Sequence, residues 1–143
     1  MITIGIDPGI ERIGLGIVES SNGKMKLLNH ELIKTPASLT TPQRLAMLYE
    51  KLMQFLKENK ADNAAVEELF FARNTTTAIT VAQARGVILL ALQNIGLPIF
   101  EYTPLQVKQS LLGYGRADKK QIQYMIKIML GDSAPKQDDV ADA

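Results

Sequence analysis

The 143-residue chain reads as one α/β domain: a five-stranded mixed sheet, antiparallel on its hairpin side and parallel on the other, flanked by helices. Three observations predict it. Met1 to Glu19, MITIGIDPGIERIGLGIVE, is a pair of strand-like apolar runs around a Pro-Gly turn. Short apolar runs then alternate with segments whose apolar residues recur at helical spacing. No repeat, low-complexity tract or long linker divides the chain, so a single unit over 1–143 is expected.

In the first strand Ile2, Ile4 and Ile6 alternate with smaller residues, which gives one apolar face, and Asp7 stands where the strand leaves the sheet. Pro8 and Gly9 stop the pairing, Glu11 and Arg12 lie in the connection, and Ile13 to Val18 is the return strand. Asn22-Gly23 is a strong turn signal before a third strand, Lys24 to Thr35. Thr41-Pro42 reads as a helix start, the Thr capping and the Pro in the first turn. Leu45, Leu48, Tyr49, Leu52, Phe55 and Leu56 extend that helix to about Asn59 with one apolar stripe.

Asn63 to Leu69 reads as a buried strand whose exit carries Glu67 and Glu68. After a loop, Asn74 to Thr77 offers a cap for a helix over about Ala78 to Ile95. Ala82 and Gly86 give it a small-residue face, suited to close packing in the core or across a dimer. Gly96 ends it, and Leu97 to Tyr102 is the last strand. Thr103 with Gln106 and Asp118 with Gln121 have the form of capping boxes, opening helices that stop at Gly113 and Gly131. Between them lies a Gly-rich, partly basic loop at Gly113 to Arg116. Ser133 and Pro135 start a final helix, expected to be cut short at Ala143. Right-handed crossovers place the first and fourth strands side by side, so Asp7 and Glu67 emerge together.

Composition narrows the function classes. Sixteen basic and fifteen acidic residues give a net charge of +1, so any affinity for nucleic acid must come from a local patch. The absence of cysteine excludes disulfides and thiolate metal sites and is compatible with a reducing cytoplasm. No apolar run approaches the roughly 20 residues of a membrane span, and no secretory signal opens the chain.

Asp139 and Asp142, three apart on the terminal helix, share a face. A plain structural account exists for part of the set: Asp7 as a turn former, Asp138 and Asp139 as acids in a helix first turn. It leaves Asp142 unexplained. A terminal helix folded onto the sheet end would gather Asp7, Glu67, Asp139 and Asp142, four oxygen donors suited to magnesium or manganese. Two such ions about 3.5 to 4 Å apart can clamp a phosphodiester. Lys108, Arg116, Lys119, Lys120 and Lys127 follow one another nearby, with Arg73 and Arg85 at the second long helix. For Lys120 and Lys127 an ordinary solvated face is the preferred reading; the others are suited to phosphates. Phe70 and Phe71 are core candidates, or one of them stacks on an unpaired base.

The stretches GIDPG, VEELFFARN, QARGV, FEYTPLQVKQSLLGYGRADKKQIQ and QDDVADA together resemble the RuvC family, bacterial Holliday-junction resolvases with a ribonuclease H-like fold. The resemblance implies that Asp7, Glu67, Asp139 and Asp142 are catalytic metal ligands for two Mg2+ ions, with Mn2+ as a substitute. Within each acidic pair it selects Glu67 over Glu68 and Asp139 over Asp138. It implies DNA contacts from Phe70, Arg73, Asn74, Lys108, Arg116 and Lys119. It further implies a cytoplasmic homodimer that cuts two opposed strands of a four-way junction alongside RuvA and RuvB. Competing readings are a YqgF-type ribonuclease on the same fold, which leaves VEELFFARN and the Gly-Tyr-Gly-Arg loop unexplained, and a junction-binding module without cleavage. An actin-like ATPase needs a second domain for which the chain has no room.

Overall fold

The structure, a computed structural model, describes residues 1–69, 75–113 and 118–130. Its strands are β1 (Ile2–Asp7), β2 (Arg12–Ser21), β3 (Lys24–Lys34), β4 (Asn63–Glu67) and β5 (Ile99–Tyr102). Its helices are α1 (Thr41–Glu58), α2 (Thr75–Asn94), α3 (Pro104–Leu112) and α4 (Lys119–Leu130). The sheet order is β3-β2-β1-β4-β5, antiparallel from β3 to β1 and parallel from β1 to β5, as the hairpin and crossover arguments predict.

Two local features hold the antiparallel side. Asn22 and Gly23 take φ of 51° and 73°, a pair of left-handed residues that matches the twist of a two-residue hairpin. In the other connection a Cβ on Gly9 would run into the Arg12 carbonyl oxygen, so glycine is needed for that close approach. On the parallel side, Ile2 and Asp62 fix the register reciprocally. The Ile2 amide donates to Asp62 Oδ2 and the Asp62 amide donates to the Ile2 carbonyl, each at 2.7 Å. Counting the same number of residues along each strand then arrives at Asp7 and Glu67. A slip by one residue would turn every side chain of β4 to the wrong face.

The sheet has two unlike faces. Ile4 and Ile6 pair with Ile17 and Leu15 on one side and with Ala64 and Val66 on the other. All are buried, packed with Leu48, Leu52, Phe55 and Leu56 of α1 and Ala84, Ile88, Ala91 and Leu92 of α2. Full burial of each large aliphatic contributes about 1.5–3 kcal/mol, and this layer is the core. The alternate residues, Gly5, Gly14, Gly16 and Ala65, are small. They share the opposite face with Asp7, Glu67 and Tyr102.

Helix ends follow the expected chemistry with one shift. The cap of α1 is Thr40 rather than Thr41: its amide donates to Gln43 Oε1 at 2.9 Å, closing the box one residue earlier and leaving Pro42 in the first turn. The Thr103–Gln106 and Asp118–Gln121 boxes form as read, and Gly113 closes α3 at φ 77°. Helix α2 begins at Thr75, ahead of the expected Ala78, because the threonines continue the helix instead of preceding it. The expected cap at Asn74, the Gly-Tyr-Gly-Arg loop and the final helix from Ser133 lie outside the described residues. Among the described residues no helix is long and apolar enough to cross a membrane.

Candidate active site

Parallel strands deliver their C-terminal ends to one edge, and here two of them end in carboxylates. Ile6 stands level with Val66, so Asp7 and Glu67, the next residue of each strand, leave adjacent strands side by side. Both are half-buried. Asp7 still lies opposite Gly14 on β2 and Glu67 opposite Tyr102 on β5, so each acid sits in the ladder instead of a free loop. β4 stops at Glu67. The Glu68 amide donates to the Tyr102 carbonyl at 2.8 Å, which settles the chain beyond Glu67 against β5.

The backbone beyond Asp7 is tied down from beneath. Thr35, 1% exposed, donates its hydroxyl to the Ile10 carbonyl and its amide to the Glu11 carbonyl at 3.1 Å. The hydroxyl oxygen accepts from Arg44 Nε at 2.8 Å, and Arg44 Nη2 donates to the Thr35 carbonyl at 3.2 Å. The turn after Asp7, the end of β3 and the start of α1 thus share one hydrogen-bonded node. By sequence Thr35 is only the end of a strand; a buried hydroxyl that serves two distant segments has no periodicity to reveal it.

Helix α3 opens at the same edge. Gln106, Val107 and Ser110 line a cleft of about 530 Å³ with Ile6, Ala65, Val66, Glu67 and Tyr102. Lys108 lies on the same helix, half-buried. Beyond the Asp7 turn, Arg12 and Lys34 line a shallower hollow with Glu11, Thr35 and Pro36. Arg12 and Lys34 thus bring cationic side chains from β2 and β3 beside the turn that follows Asp7, and α3 carries Lys108. Tyr102, Gln106 and Ser110 border the acid without having been singled out as site residues. Arg85, offered by the sequence as a phosphate contact, is engaged elsewhere: it pairs with Glu101 and donates from Nε to the Glu67 carbonyl at 3.3 Å.

The structure thus brings together Asp7 and Glu67, with Lys108 on the adjoining helix. Lys119 opens α4. Asp139, Asp142, Phe70, Arg73, Asn74 and Arg116 lie outside the described residues. Among the described residues no three acidic or histidine side chains gather, so the strand-end acids supply a pair.

The model of the family described as crossover junction endodeoxyribonuclease RuvC matches residues 3–143. The chain belongs to the RuvC family. A RuvC of Alkaliphilus metalliredigens is 54% identical over 144 aligned positions, which span 100% of this chain and 88% of that protein. One of Desulfitobacterium hafniense is 52% identical, spanning 100% of this chain and 87% of the relative. Among solved structures, Thermus thermophilus RuvC in complex with a Holliday junction substrate superposes with a TM-score of 0.92 at 36% identity, covering 100% of this chain and 88% of that one. The five-stranded mixed sheet with its flanking helices is accordingly the ribonuclease H-like fold of RuvC.

Proposed function

We propose that this protein is a structure-selective endonuclease that resolves four-way Holliday junctions by paired, symmetric phosphodiester hydrolysis in homologous recombination and DNA repair. The observation that carries the proposal is the side-by-side exit of Asp7 and Glu67 from adjacent parallel strands, in a chain of the RuvC family. Asp7, Glu67, Asp139 and Asp142 are the proposed catalytic acids and the ligands of two Mg2+ ions, for which Mn2+ substitutes. The donor set fits: these are hard carboxylate oxygens, and the chain has no cysteine to favour a softer metal. When bound, such ions activate a water and stabilise the departing 3′ oxygen.

The chain's own residues do the rest. The sheet ladder fixes Asp7 and Glu67 before substrate arrives, which lowers the cost of assembling like charges in one place. Lys108, Arg116 and Lys119, with Arg73 and Asn74, hold phosphates on either side of the cut, and Phe70 stacks on a base at the junction centre.

The proposed assembly is a homodimer, whose two-fold axis suits two opposed cuts. Helix α2 supports it. Arg85 is its one charged residue, and Ile79 and Leu90 stand 67% and 56% exposed, an apolar face that a second copy would cover. The proposed partners are RuvA and RuvB, in the cytoplasm. The decisive experiment compares a mobile four-way junction with linear duplex of the same sequence, with and without Mg2+. Paired nicks on opposed strands are expected for the junction alone and only with the ion. Equal cutting of linear duplex, or preference for a ribosomal RNA precursor, would overturn the proposal.

A further inference from the structure

At the end of β4 the ladder meets a proline on the neighbouring strand, and the backbone group that faces it is the Glu67 carbonyl. The Ala64 and Glu68 amides donate to the Pro98 and Tyr102 carbonyls of the β5 side at 2.8 Å each. Even-numbered residues of β4 therefore direct their backbone groups toward β5, and odd-numbered ones, Glu67 included, toward β1. With Ile6 level with Val66, the amide due to meet the Glu67 carbonyl belongs to residue 8, and residue 8 is proline. Proline has no N–H to give. Arg85 supplies one in its place, donating from Nε to that carbonyl at 3.3 Å while Nη2 pairs with Glu101.

Glu101 stands opposite Val66, whose side chain is fully buried in the helix-covered core, so Arg85 approaches from that face. The Glu67 side chain belongs to the other face, with Ala65 and Tyr102. We propose that Arg85 is a positioning residue for the active site: its guanidinium replaces the amide missing at Pro8 and, anchored by Glu101, fixes the main chain from which the Glu67 carboxylate projects. The proposal rests on the role of Glu67 given above. A planar fork can serve carbonyl and carboxylate together, whereas a lysine ammonium serves them poorly at once.

Arg85→Ala, Arg85→Lys and Glu101→Gln are compared with the parent protein in three measurements: junction affinity without metal, kcat and KM with Mg2+, and Mn2+ binding without DNA, followed by its paramagnetic resonance signal. A misplacement of about 1 Å at a reacting centre costs up to about a hundredfold, so Arg85→Ala is expected to lower kcat by about ten- to a hundredfold. KM and metal-free affinity should stay within about twofold, and Mn2+ binding should weaken several-fold. Arg85→Lys and Glu101→Gln are expected to fall between it and the parent, and they carry the test if Arg85→Ala does not fold. Parent-like kcat and Mn2+ binding in a folded Arg85 variant would overturn the proposal. So would a loss confined to junction affinity, which makes Arg85 a phosphate contact. Because the Mn2+ measurement contains no DNA, it tests the tether even if the parent cuts something other than a junction.

Discussion

The two faces of the sheet are made by alternate residues of the same strands, yet they are built to opposite rules. One carries Ile4, Ile6, Ile13, Leu15 and Ile17, sealed under α1 and α2. The other carries Gly5, Gly14 and Gly16, and at its edge Asp7 and Glu67. The aliphatic face contributes the free energy of folding, and the small, polar face spends some of it to hold like charges together. Residues one peptide apart, such as Ile6 and Asp7, therefore answer to different physical demands: mutating the first should cost stability, the second activity.

Asp7→Asn is expected to have the largest effect, and to have it on the polar face. The amide has the shape of the carboxylate but not its charge, so Mg2+-dependent junction cleavage should fall by at least about a hundredfold, since even partners one step behind a metal ligand cost 10–100-fold. Junction affinity without metal should persist. Thermal unfolding in metal-free buffer should change little beside the loss of cleavage, because Asp7 keeps its place in the ladder opposite Gly14. Undiminished cutting would remove Asp7 from the mechanism.

Leu15→Ala tests the aliphatic side. Leu15 is fully buried, and truncating such a side chain costs about 2–5 kcal/mol, lost area and residual cavity together. Denaturant unfolding should show that loss, while kcat per folded molecule stays near the parent value. A catalytic defect larger than the folded fraction explains would mean that the two faces are coupled through the sheet.

Much of this division was legible beforehand. The alternation in Ile2, Ile4 and Ile6, the Asp-Pro-Gly stop and Asn22-Gly23 fix the hairpin by local rules, and crossover handedness alone sets β4 beside β1. The adjacency of Asp7 and Glu67 follows from those two inferences. Less accessible were features that depend on reach. Thr40 and Thr41 are equally good caps by type, and only the backbone decides between them. Arg85 sits in a helical pattern that says which way it faces but not that it extends to the end of β4 and to Glu101. The reciprocal Ile2–Asp62 clamp links positions too far apart for any local signal.

Thr35→Val addresses the boundary between the two faces and carries the smallest expected effect. Valine has nearly the same shape but lacks the hydroxyl, so the Ile10 carbonyl and Arg44 Nε each lose a buried partner. Leaving such groups unpaired costs about 1–3 kcal/mol, visible in chemical denaturation. The Thr35 amide and carbonyl keep their bonds to Glu11 and Arg44, so the node should loosen without coming apart. If Asp7 depends on that node, hydrogen exchange of the Thr35 amide, which donates into the turn, should speed up, and kcat should fall several-fold in protein that remains folded. If stability drops and kcat does not, the ladder contact of Asp7 with Gly14 is sufficient to place the acid, and the Thr35–Arg44 node belongs to the fold alone.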